Sequence, residues 1–260
     1  MIRIFCFLLA CSLACTSGFS QDSTNTKIAN NFDKGIKQLK DNRVWEAIAS
    51  FKAAFKANPG DDVAAYNAAG AYFVLGNYDD AVDWYKKTIK VNHRHVNARI
   101  GMGMALRAQM RYDTAIKVLL EARKIAPNNS LVLTELAMSY QGLDDFAMAA
   151  RCYKQVLKLD RSSADTYELL GMAYGRLGNY DKAISAFRRA ILLDDGFVDA
   201  YFSLGVTLVS QQRKLSAQTQ AAPDFMPAKK NLNIARALYE KIGDTKNLER
   251  IDNLLKTIGN

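Results

Sequence analysis

Three sets of side chains in this sequence are of types and spacings that could do chemistry. His93 and His95 form a His-x-His pair within Val91-Asn-His93-Arg-His95. Such a pair is half of a zinc site, but the segment brings no third ligand, so an exposed connecting loop is expected. Cysteines stand at 6, 11, 15 and 152. That spacing offers neither a metal cluster nor a disulfide framework, and Cys152 beside Tyr153 reads as a structural thiol. The acidic pairs Asp79-Asp80 and Asp144-Asp145 follow short turns, where capping of a helix N-terminus accounts for them. There is no glycine-rich phosphate loop and no nucleophile beside a base at a recognised spacing. The expectation is a protein that is not an enzyme, with no cofactor and no metal.

What the sequence does repeat is packing. Ala47, Ala81, Ala115, Ala149 and Ala183 are each 34 residues apart, and four residues after each comes Phe51, Tyr85, Leu119, Tyr153 or Phe187. A small residue one helical turn before a bulky one marks the buried stripe of a helix. A second series keeps the same interval: Gly35, Ala69, Gly103, Ala137, Gly171 and Gly205. A helix–turn–helix unit of 34 residues is the period of a tetratricopeptide repeat. Over roughly residues 28–242 the chain resembles the tetratricopeptide repeat (TPR) family. Residues 164–197 match it most fully, through Tyr167, Leu170, Gly171, Tyr174, Gly178, Tyr180, Ala183, Phe187 and Ala190.

The resemblance implies an all-α TPR α-solenoid, a right-handed superhelix of antiparallel helix pairs with a C-terminal capping helix. Its repeats are expected at 28–61, 62–95, 96–129, 130–163, 164–197 and 198–242. The sixth departs from the pattern because Gln211 to Pro227 is polar and rich in turn residues. An insertion near 213–226, as a loop or an extension of the first helix, brings Ala228, Leu232 and Ala235 onto the alanine–bulky–alanine positions. After Gly243-Asp244, the stripe Leu248, Ile251, Leu254, Leu255 and Ile258 predicts a one-sided helix over 244–260 that seals the last open face.

The first 20 residues read as a signal peptide, with Arg3 ahead of the apolar run Ile4–Ala14 and small residues at Gly18 and Ser20 before Gln21. An alternative exit exists. Ser12-Leu-Ala14-Cys15 resembles a lipobox, which would make Cys15 a lipidated first residue, although Ser12 stands where leucine is preferred. Residues 21–27 are expected to form a polar linker. The chain is therefore expected to be exported, periplasmic or secreted, and at a membrane only if lipidated.

The formal charge of +9 is spread without any Lys/Arg run longer than two, so no nucleic-acid partner is expected. In the TPR family the first helices line the concave face. Carrying its positions over residue by residue gives Phe32, Ile36, Tyr66, Phe73, Ile100, Met104, Met138, Met172, Phe202 and Val206 as a groove. Methionines at a constant interval suit an apolar segment that need not fit one rigid shape. The family's two-carboxylate clamp for acidic tails is missing, since its places hold Phe32, Ile36, Asn67, Asn97 and Gly101. The sequence thus implies an interaction scaffold that binds an apolar segment of a protein partner. The alternative is a lipid-anchored assembly factor of the kind used in pilus or outer-membrane complex biogenesis, and self-association is a further possibility.

Overall fold

The computed structural model describes residues 23–259, and all of its regular structure is helical. The expected signal peptide at 1–20, Cys15 and the start of the linker lie outside the described residues. The helices are α1 (Ser23–Lys40), α2 (Val44–Ala57), α3 (Asp62–Val74), α4 (Tyr78–Val91), α5 (Val96–Ala108), α6 (Tyr112–Ile125) and α7 (Ser130–Gly142). They continue as α8 (Phe146–Leu159), α9 (Ala164–Arg176), α10 (Tyr180–Leu193), α11 (Val198–Thr219), α12 (Met226–Ile242) and α13 (Thr245–Gly259). The helix α1 begins at Ser23, so residues 23–27 are helical instead of forming a linker. No glycine or proline stands there, and extending an existing helix costs far less than starting one.

The first five hairpins each turn on a left-handed residue, and these residues keep the same register: Asn42, Gly76, Met110, Asp144 and Gly178, with φ between 57° and 76°. In the second hairpin Gly76 donates to the Phe73 carbonyl and Asn77 to that of Tyr72, closing the last turn of α3 on itself. Asp145 caps α8 by accepting from the Met148 N–H, as expected of an acid at a helix start. Asp79 does not cap. It sits inside the first turn of α4 and accepts from Gln109 Nε2 at 2.7 Å, tying one repeat to the next. Gln211 and Asp181 repeat that bond at 2.6 Å in the later part of the chain. At the sixth turn the corresponding residue is Gln212, and α11 runs on through it to Thr219. Gln211-Gln212-Arg213-Lys214 are all good helix formers, so nothing there stops the helix.

The chain divides into two compact units, the division falling after Glu135. In the first, a core runs from Leu39 and Phe51 through Tyr72 and Tyr85 to Leu106 and Ala115. In the second, Ala183, Phe187, Leu204 and Leu208 join Leu232, Tyr239, Ile251 and Ile258. Inside the hairpins the bulky residue of the second helix lies directly over the small residue of the first. A methyl group at Gly35 would stand 2.6 Å from Phe51, at Gly103 2.7 Å from Leu119, at Gly171 2.6 Å from Phe187, and at Gly205 2.7 Å from Leu232. Where the bulky residue is tyrosine, the small one is alanine: Ala69 with Tyr85 and Ala137 with Tyr153. Tyr85 shows how the extra methyl is accommodated. Its ring end points at Gly101 of the next repeat, where a methyl would meet Cζ at 2.3 Å.

Candidate partner-binding surface

In the first unit the residues expected to line a groove are mostly absorbed by packing. Phe32 lies 5.6 Å from the Phe51 ring and Phe73 lies 5.4 Å from Tyr78, both half-buried. Tyr66 is only 8% exposed and Ile100 only 5%. Tyr66 is held between Tyr85 at 5.9 Å and the imidazole of His95 at 4.9 Å. Ile36 and Met104 remain half-buried.

His95, one of the two histidines singled out above, has a structural task. Its Nδ1 accepts the Ala98 N–H at 3.0 Å and so caps α5. Burial lowers its pKa below the usual 6.5, with Asp62 pulling the other way and Arg99 adding to the depression. The capping bond needs an unprotonated Nδ1. As pH falls through the unfolded value the free chain takes up a proton that the folded ring resists, so this stabilisation is present above pH 6.5 and lost below it. Replacing His95 with asparagine, also a good cap, should shrink the loss of stability between neutral and mildly acidic buffer, read by urea unfolding. His93 is exposed. Among the described residues no group of three or more His, Cys, Asp or Glu is placed to hold a metal ion, and Cys152 is buried.

In the second unit more of the predicted row reaches solvent. Met138 is half-buried, whereas Met172 is 37% and Val206 36% exposed, on α9 and α11, which touch each other. Phe202 is half-buried against Tyr239 at 6.4 Å, and the Arg250 guanidinium lies over its ring at 5.0 Å. Next to this apolar strip is an acidic corner that sequence reasoning missed as a group. Glu168 is buried and accepts from Ser203 Oγ at 3.4 Å. Burial, with the Asp199 carboxylate beside it, pushes its pKa up to about 7. Asp199 accepts a hydrogen bond from the Tyr239 hydroxyl, which raises that phenol's pKa along with its desolvation. Asp199 occupies the second position of the sixth repeat, which the family pattern turns inward, and that was the signal available for it. No helix of the described residues is long and apolar enough to cross a membrane.

Two-helix units that recur at a constant interval, each with a bulky side chain of its second helix over a small residue of its first, define a helical-repeat protein. Residues 72–254 match the family model described as "Psidin, N-terminal TPR repeats region", and residues 32–90 match "Tetratricopeptide repeat". The chain belongs to the tetratricopeptide repeat family. It is 29% identical over 119 residues to anaphase-promoting complex subunit 3 of Schizosaccharomyces pombe, covering 46% of this chain and 18% of that protein. It is 27% identical over 110 residues to small glutamine-rich tetratricopeptide repeat-containing protein 2 of Mycosarcoma maydis, covering 42% and 31%. The chain thus spans less than a third of the length of the curated relatives it matches. Among solved structures, MamA (residues 41 to the end) from Desulfovibrio magneticus RS-1 superposes with TM-score 0.62 at 21% identity, over 66% of this chain and 97% of that one. The TPR protein YrrB, described as having an unusual peptide-binding site, gives 0.61 at 19%, over 78% and 97%.

Proposed function

We propose that the protein is a non-enzymatic scaffold that binds an apolar segment of a protein partner across the inner helices of its repeats. The observation that carries this is the pair Met172 and Val206, each more than a third exposed at equivalent positions of two adjacent first helices. The two stand one repeat apart on helices that touch, and neighbouring exposed apolar side chains mark an interaction surface more than scattered ones do. Methionine adapts to partners of differing shape, and the half-buried Phe202 extends the strip. Peptide recognition by relatives, as in the description of YrrB, supports the reading as analogy. In an array of amphipathic helical peptides, the best binders of the wild-type chain should lose about tenfold or more in affinity to Met172→Asp/Val206→Asp, with helicity unchanged. Equal binding by the variant would move the site off this face.

The scaffold is further proposed to work outside the cytoplasm, on the strength of the leader-like residues Met1–Ser20. Its two processing routes differ in the mass of the mature N-terminus, which starts either at Gln21 or at an acylated Cys15. Only the second would make it a membrane-anchored assembly factor.

A further inference from the structure

The outer helices of the second unit carry a surface that the inner-face reading does not use. Helix α8 holds Arg151, Lys154 and Lys158 and no acidic residue, and α10 holds Lys182, Arg188 and Arg189 against Asp181 alone. Both helices pack on α9. All six cations are exposed, and none of them enters an ion pair among the described residues. Elsewhere the chain does neutralise exposed cations, as in the pairs Lys124–Glu121 and Arg236–Asp252. This face leaves its charges open.

Beside α10 the surface sinks into a cavity of about 500 Å³. Its floor is Tyr167, Leu170 and Tyr174 from α9, and Leu192, 73% exposed, stands at its mouth. Lys182, Arg188 and Arg189 line the same cavity, with the Lys182 ammonium 5.7 Å from the Tyr174 ring centroid. An apolar floor under a cationic rim asks for a ligand with the opposite arrangement, a large apolar group flanked by anions. A flat anionic bilayer would meet the rim but not the floor.

We propose that this face docks an acidic protein segment carrying one large apolar side chain. The side chain seats between Tyr167, Tyr174 and Leu192, and the flanking carboxylates lie on Lys182, Arg188 and Arg189. The site is separate from the inner strip of Met172 and Val206, so the chain would join two partners, or two segments of one partner.

The test uses the full chain and a fluorescein-labelled oligoglutamate peptide with a single central phenylalanine, followed by fluorescence anisotropy. The peptide should bind, and Lys182→Glu/Arg189→Glu should weaken it by about tenfold or more at low salt. Leu192→Asp should weaken it by a similar factor, about tenfold, and so should replacing the peptide's phenylalanine with serine. Met172→Asp/Val206→Asp should leave it unchanged, which separates this site from the inner one. The milder Lys182→Gln/Arg189→Gln, with circular dichroism matching wild type, guards against loss of fold. Equal binding of the phenylalanine and serine peptides would overturn the cavity's role. Absence of peptide binding, or affinity unchanged by the charge reversals, would overturn the proposal. Stronger binding to phosphatidylglycerol vesicles or to oligothymidylate than to the peptide would also overturn it.

Discussion

Gly171→Ala should destabilise the chain by about 1–3 kcal/mol in urea unfolding, while Gly175→Ala on the same helix should stabilise it by about 0.5–1 kcal/mol. Both glycines lie in α9, and alanine is the better helix former at either place. The difference comes from what the new methyl meets. At Gly171 it would stand 2.6 Å from Cε1 and 2.8 Å from Cδ1 of Phe187, whose ring is buried and has nowhere to go. At Gly175 its nearest neighbour is Thr207 Oγ1 at 3.9 Å, which is ordinary contact. Phe187→Ala should itself cost about 3–5 kcal/mol through the cavity it leaves. In that background Gly171→Ala should lose most of its penalty, because the collision is gone. Two independent, additive losses would show that the bulky-over-small contact is not what fixes the spacing of the two helices.

Arg107→Met should cost about 2 kcal/mol at pH 8 and progressively less towards pH 5. Arg107 Nε donates to Glu135 Oε2 at 3.0 Å, with the carboxylate side chain 10% and the guanidinium 28% exposed. Burial raises the Glu135 pKa, while the Arg107 charge and hydrogen bond hold it down. Removing the arginine leaves burial less opposed, so the pKa climbs further. A carboxyl whose folded pKa lies above its unfolded value keeps its stabilisation below the unfolded value and loses it as pH rises through the folded one. The variant's deficit is therefore largest in alkaline buffer and shrinks once Glu135 takes up a proton. Glu135→Gln combined with Arg107→Met should recover most of the loss, since no charge is then left buried. A deficit that does not change with pH would assign the cost to the arginine's packing alone.

The fold was legible because its packing pairs recur. Gly35 with Phe51, Gly103 with Leu119 and Gly171 with Phe187 announce the hairpin at a fixed interval, and each pair is in contact in the folded chain. Even the sixth hairpin could be read. Shifting the register past the inserted residues put Leu232 opposite Gly205, and a methyl at Gly205 would stand 2.7 Å from its side chain. The inner surface was less legible, for a physical reason. Whether a first-helix residue reaches solvent depends on the neighbouring repeat, and the neighbour's side chain has no fixed interval to announce it. Tyr66 is covered because His95 turns back to cap α5, and the Tyr85 ring fills the space at Gly101. Glu168 owes its raised pKa to burial and to Asp199, and it accepts from Ser203, both of which come from α11 of the next repeat.

The bulky-over-small pairs also carry a kinetic consequence. Gly171 and Phe187 are joined by a short stretch of chain, as are Gly35 and Phe51, whereas the link from Gly205 to Leu232 is nearly twice as long. Loop-closure entropy grows only with the logarithm of length, so the longer link adds about 0.5 kcal/mol to closing the last hairpin. Every hairpin can therefore zip from contacts near in sequence, giving a low contact order and rapid folding. Its slowest hairpin to close should be the one formed by α11 and α12.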